Sequence, residues 1–154
     1  MSTPTPGDIL GPFVEAIDHV GLAVADLDAA VSFQVETFGL ELLHREENAE
    51  QGVVEAMLGP RGASPGSTQL QLLAPLTPES AIARFLQRSG PGLQQLAYRV
   101  SDVDEASAAL RKRGLRLLYE SAKHGTRGSR INFVHPKDAG GVLIELVELP
   151  RHPR

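Results

Sequence analysis

Between residues 17 and 24 the side chains alternate. Val20, Leu22 and Val24 point one way, and Ile17, His19, Gly21 and Ala23 the other. That pattern predicts a strand whose first set lies under a helix and whose second set exposes His19 on the opposite face. Asp26 fits an N-cap, because its carboxylate can accept from a first-turn N–H. Leu27, Ala30, Val31, Val35 and Phe38 follow at helical spacing, and Gly39 suits the left-handed position that ends such a helix. Residues 40–46 and 53–58 read as strands joined by the polar loop EENAEQG. A fourth strand, residues 68–74, follows the turn-rich GPRGASPGS. Thr77-Pro78-Glu79 opens a connecting helix with Thr77 as cap and Pro78 at its first position. Ile82, Phe85 and Leu86 form its buried stripe, and Ser89-Gly90-Pro91-Gly92 breaks it.

The pattern then repeats. Residues 93–118, LQQLAYRVSDVDEASAALRKRGLRLL, overlay residues 17–43, IDHVGLAVADLDAAVSFQVETFGLELL. His19 falls on Gln95, Asp26 on Asp102, Asp28 on Asp104, and Gly39 on Gly114 once one helical residue is dropped. TQLQLLAP around Gln71 matches VLIELVELP around Glu145 in the same way. In the second copy Leu96, Tyr98 and Val100 are expected in the core. Asp102 caps a helix striped by Val103, Ala106 and Leu110, which Gly114 ends. Strands are expected at residues 115–119, 130–134 and 142–148. Each copy is thus β-α-β-β-β, with a sheet too small to stand alone comfortably. The fold class predicted is α+β: two tandem βαβββ modules forming a curved mixed sheet around a shared cleft. One domain would cover residues 15–150, with module 1 at about 15–75, the connecting helix at about 77–90 and module 2 at about 92–149. Residues 1–14 and 151–154 would be tails.

Composition narrows the field without redirecting it. A chain of 154 residues with 42% hydrophobic and 22% charged residues suits a soluble globular domain. A net charge of −4 gives no electrostatic reason to expect nucleic acid or an anionic membrane as partner. Without Cys there is no disulfide, thiolate nucleophile or Cys-zinc site. No apolar run approaches the roughly 18–20 residues of a membrane span. The start, MSTPTPGDILGP, has neither the basic residues nor the apolar stretch of a signal peptide, so a cytoplasmic location is expected.

The candidate chemistry follows from strand period. His19, Gln71, Gln95 and Glu145 occupy two equivalent positions in two copies. If all four face the trough, they offer one imidazole, two amide oxygens and one carboxylate. That set suits a divalent ion of intermediate hardness, such as cobalt, manganese, nickel or zinc. A lone strand histidine is usually structural and a strand Gln usually a hydrogen-bonding residue; the paired placement favours the metal reading here. Glu145, between Ile144 and Leu146, is harder to dismiss, because an unpartnered buried carboxylate is costly. Glu55 shares a strand face with Val53 and Met57, an apolar setting that would raise its pKa and suit it to proton transfer. The alternative for Glu55 is an exposed edge position. His44, His124, His135 and His152 lie at strand ends, loops or the tail and read as solvated or structural.

The repeat and its ligand positions resemble the vicinal oxygen chelate (glyoxalase/bleomycin resistance) superfamily. HREENAEQGVVEAML, TQLQLLAPL, GSRINFVHPKDAGGVLIELVE and IDHVGLAV are similar to the methylmalonyl-CoA epimerase family, over nearly all of residues 17–148. By position, the resemblance implies metal ligands at His19, Gln71, Gln95 and Glu145 and acid/base glutamates at Glu55 and Glu145. It also implies a divalent metal cofactor, cobalt first, and interconversion of (2R)- and (2S)-methylmalonyl-CoA through a metal-stabilised enolate. A homodimer is expected. This chain departs from the family at Gln94-Gln95, where two adjacent histidines are usual. A neutral amide ligates through oxygen and holds transition metals less well than imidazole does.

Three other readings use the same architecture. A ring-cleaving dioxygenase needs two His and a carboxylate, and Gln95 removes the second His. A glyoxalase-like isomerase fits the HREENAEQGVVE stretch poorly. A metal-free, drug-sequestering binder would favour an aromatic pocket, and aromatics are only 5% with no Trp.

Overall fold

The computed structural model describes residues 13–151, so the expected tails lie outside the described residues except at positions 13, 14 and 151. Two compact units emerge, one of residues 18–95 and one of residues 13–17 with 96–151. Their division falls inside two strands, β1 (Val14–Ala23) and β5 (Gly92–Val100). Gln95, from the second sequence copy, therefore belongs to the unit that carries His19.

In the first unit the strands run in the order β2-β3-β4-β1, with β2 at Glu41–Asn48, β3 at Val53–Gly59 and β4 at Gln69–Pro75. β1 and β4 are parallel, and the other pairings antiparallel. Helix α1 (Leu27–Phe38) starts where Asp26 Oδ1 accepts from the Ala29 N–H at 3.0 Å. It stops at Gly39, whose φ of 70° suits a residue without Cβ. Leu27, Ala30, Val31 and Val35 pack on Leu22, Val24, Ala56, Leu58 and Leu72, the face of the sheet that the alternation assigned to a helix. Each fully buried Leu there contributes about 1.5–3 kcal/mol. Phe38 leaves the predicted stripe: it is 64% exposed and meets Phe33 edge to face.

Helix α2 (Ala81–Ser89) packs near the opposite face, with Ile82, Phe85 and Leu86 against Ala23, Val53 and Leu73. Its cap is Ser80, not Thr77. The Ser80 Oγ accepts from the Ala83 N–H at 3.1 Å, while the Thr77 carbonyl accepts the Ser80 N–H in a preceding turn. The stretch from Thr77 to Glu79 is that turn, and the helix begins after it.

The second unit has strand order β5-β8-β7-β6, with β6 at Lys123–His124, β7 at Arg130–Val134 and β8 at Leu143–Glu148. Helix α3 (Val103–Lys112) is capped by Asp102, which accepts from the Glu105 N–H at 3.0 Å. Val103, Ala106 and Leu110 pack on Val100, Val134 and Leu146, as the stripe predicts, and Phe13 joins them. The strand expected at residues 115–119 is reduced to one bridge, Leu117 to Val134. Two backbone bonds to the neighbouring strand survive, Leu118 N–H to the Phe133 carbonyl and His135 N–H to the Arg116 carbonyl, while side chains take the backbone groups at either end. Asp138 accepts the Arg116 N–H, and Asn132 both accepts from the Tyr119 N–H and donates to the Tyr119 carbonyl.

Candidate active site

The face of the first unit's sheet turned away from α1 carries alternate residues of three strands. These are 19, 21 and 23 on β1, 69, 71 and 73 on β4, and 53, 55 and 57 on β3. Its apolar end is the Ala23, Val53, Leu73 and Ile82 cluster. Beyond that end lie polar side chains shut from solvent: His19 is 2% exposed, Gln71 2%, Glu55 3% and, reaching in from β5, Gln95 7%. The expectation that His19 is exposed is therefore wrong. The face was identified correctly, but its neighbours cover it.

Register explains the convergence. Gln71 pairs across with Gly21 on β1 and Met57 on β3, so His19 and Glu55 each lie two residues off its rung. Side chains at such diagonal positions on one face come within reach. Gln71 Nε2 donates to Glu55 Oε2 at 2.9 Å, and Gln95 Nε2 donates to Gln71 Oε1 at 2.8 Å. Gln95 Nε2 also lies 3.2 Å from His19 Nε2, and His19 Nδ1 lies 2.7 Å from Asp18 Oδ2. Five side chains thus form one connected network within residues 18–95.

The protonation pattern of the imidazole follows from its neighbours. Asp18 accepts from Nδ1–H, so Nε2 keeps its lone pair and accepts from Gln95. An imidazole oriented by a carboxylate on its far nitrogen is the usual arrangement of a metal-ligating histidine. Among the described residues no three His, Asp or Glu side chains gather as a metal cluster. Any ion here would accordingly depend on the amide oxygens of Gln71 and Gln95. With an oriented imidazole beside two amides and a nearby carboxylate, the residues fit an ion of intermediate hardness.

Glu145, the remaining residue singled out by sequence, lies in the other unit. It is 5% exposed on β8, paired with Phe133, and its strand neighbours on the same face, Leu143 and Val147, pack with Ala97 and Ile131. Sequence reasoning passed over two contributors. Asp18 carried no repeat partner of interest, although an acidic residue next to a candidate ligand is a readable signal. Gly21 matters for space: a Cβ there would sit 2.6 Å from Gln95 Cγ and 3.1 Å from Leu73 Cδ1. No sequence pattern announces that. Of the histidines set aside, His44 pairs with Glu46 and His135 accepts from the Lys137 N–H, which are structural roles.

This duplicated α+β chain with a buried His-amide-carboxylate face belongs to the glyoxalase/bleomycin resistance protein/dioxygenase superfamily, whose family model matches residues 18–133. Within it, the chain belongs to the methylmalonyl-CoA epimerases. It is 54% identical to the methylmalonyl-CoA epimerase of Mycobacterium tuberculosis, covering 90% of each chain with a TM-score of 0.84. A Streptomyces coelicolor methylmalonyl-CoA epimerase variant, solved in complex with 2-nitronate-propionyl-CoA, is 45% identical over 90% of this chain and 99% of that one, with a TM-score of 0.85. The mitochondrial methylmalonyl-CoA epimerase of Homo sapiens is 35% identical over 84% of this chain and 72% of its own length. The α+β fold class expected from the repeat is the fold of this family. Family membership also implies a divalent metal, without specifying which. Among the described residues no helix is long and apolar enough to cross a membrane.

Proposed function

We propose that this chain interconverts (2R)- and (2S)-methylmalonyl-CoA by removing and returning the proton at C2. The observation that carries the reading is the Gln71–Glu55 hydrogen bond. It ties a buried carboxylate, through the amides of Gln71 and Gln95, into the network that holds the His19 imidazole. Glu55 is the base on one face: one oxygen accepts from Gln71, and the carboxylate takes the C2 proton from between thioester and carboxylate. Such a positioned base contributes typically ~10²–10⁴-fold. Glu145 is assigned as the acid on the other face, on the strength of its repeat position and burial. It returns a proton to C2, so that each turnover moves one proton off and one on. His19, Gln71, Gln95 and Glu145 are the residues that would hold the divalent ion, with cobalt first and manganese, nickel or zinc behind it. When bound, the ion supplies Lewis-acid neutralisation of the charge developing on the substrate oxygens, worth several kcal/mol. Asp18 fixes the His19 ring so that Nε2 is the nitrogen offered. The active form is proposed to be a cytoplasmic homodimer, as the family resemblance implies.

The test is direct. Purified protein, with added cobalt, is given one epimer of methylmalonyl-CoA, and the appearance of the other is followed by chromatography that separates the two intact CoA thioesters, which are diastereomers. Conversion to an equal mixture is the expected result. Tight binding with no conversion would replace the epimerase reading with that of a small-molecule binder.

A further inference from the structure

The hydrogen bonds of the buried network have a direction, and it is imposed from both ends. Glu55 and Asp18 are carboxylates, which in their ionised form only accept. Glu55 takes an N–H of Gln71, and this turns Gln71 Oε1 toward Gln95. Asp18 takes Nδ1–H of His19, and this leaves His19 Nε2 as an acceptor facing Gln95. A chain strung between two acceptor ends needs one member that donates both ways. The amide of Gln95 is that member: its two hydrogens go to Gln71 Oε1 at 2.8 Å and His19 Nε2 at 3.2 Å. A neutral imidazole at position 95 has only one ring N–H and could not serve both. Gly21 leaves the space through which the Gln95 side chain reaches this point, since any Cβ at 21 would collide with Gln95 Cγ. Gly21 does not have a left-handed φ, so it is the room and not the backbone conformation that calls for glycine.

We propose that Gln95 is the closing member of a protein-only network, and that a divalent cation binds this site in competition with that network. The two donor atoms an ion needs first, His19 Nε2 and Gln71 Oε1, are the two atoms that the Gln95 N–H groups occupy. An incoming cation must displace both bonds and turn the Gln95 amide over to present its oxygen. Gln95 thus stabilises the metal-free protein and weakens metal binding with the same –NH2 group. Replacing it by His should separate those effects. The metal half of this proposal rests on the ligand assignment above, whereas the network half stands on hydrogen-bond chemistry alone.

The experiment compares wild type, Gln95→His and Gly21→Ala, each freed of metal with a chelator. Thermal unfolding is measured metal-free, and cobalt affinity is then measured by titration calorimetry. Gln95→His is expected to melt about 2–4 °C lower when metal-free, yet to bind cobalt at least about tenfold more tightly. A variant that binds more tightly with an unchanged or higher metal-free melting point would overturn the competition. Gly21→Ala keeps Gln95 but fills its path, and it guards against a Gln95→His protein that folds poorly. The ¹⁵N resonance of His19 Nε2 in the chelated protein should move downfield as it loses its donor; an unmoved resonance would also overturn the proposal. Neither metal-free readout involves substrate, so failure to epimerise would remove the functional reading without touching this one.

Discussion

Each unit buries polar side chains, but the two units use them differently. In residues 18–95, Glu55, Gln71, Gln95, His19 and Asp18 bond to one another, side chain to side chain. In the second unit Asn132, 1% exposed, bonds to backbone: it accepts from the N–H of Tyr119 and of Phe133 and donates to the Tyr119 carbonyl. Side chain–backbone bonds stitch irregular chain to a sheet, while side chain–side chain bonds make up only about 10–15% of the total in folded proteins. Burial of a polar group therefore does not mark chemistry by itself. Asn132 holds a segment in place of a strand, whereas Glu55 is tied to another side chain.

The largest effect that would break this contrast is on the catalytic side. Glu55→Gln should leave folding intact and slow C2 proton exchange by at least about a hundredfold, measured by NMR of the substrate; unchanged turnover would remove Glu55 from the mechanism. Next comes the stitching residue. Asn132→Ala should leave the Tyr119 backbone groups without these partners and cost about 1–3 kcal/mol in denaturant unfolding, while the epimerisation rate per folded molecule stays within a few-fold. A large loss of rate at full stability would make Asn132 part of the site and erase the distinction.

The smallest effect concerns the surface pair that also pins residue 116. The Arg116 side chain donates to Asp138 at 2.9 and 3.1 Å and holds its carboxyl down from the ordinary 3.8 to about 2, with the Arg116 backbone N–H adding to the effect. A carboxyl whose pKa is depressed on folding binds its proton more readily when unfolded. Its stabilising contribution is therefore complete above about pH 4 and lost as the pH falls through about 2. Asp138→Asn should flatten the acid limb of the stability curve in that window alone. An unaltered limb would show that the pair is not formed in solution.

Much of the fold was legible because local rules and the repeat agreed. Asp26, Gly39 and Asp102 sit where capping chemistry places them, and period-two alternation put Leu22 and Val24 under α1. The failures share a cause. Thr77 and Ser80 are equally good caps by residue type, and only the three-dimensional turn chooses Ser80. Residues 115–119 have a strand's composition but give the Arg116 N–H to Asp138 and the Tyr119 backbone groups to Asn132, side chains 13 or more positions away. The identity of the site face was readable from strand period, whereas its burial was not, because coverage depends on neighbours that no alternation encodes. The amide directions in the network and the space at Gly21 are likewise properties of packing, invisible until the strands are aligned.

The central claim is that a buried carboxylate in a side-chain network takes a proton from carbon. The most direct measurement is epimerisation of a single methylmalonyl-CoA epimer in deuterated water, with the inverted product examined by mass spectrometry. Two acid/base groups on opposite faces predict that the inverted product carries one deuterium at C2 from its first appearance. Inverted product that retains its original C2 proton would contradict the account.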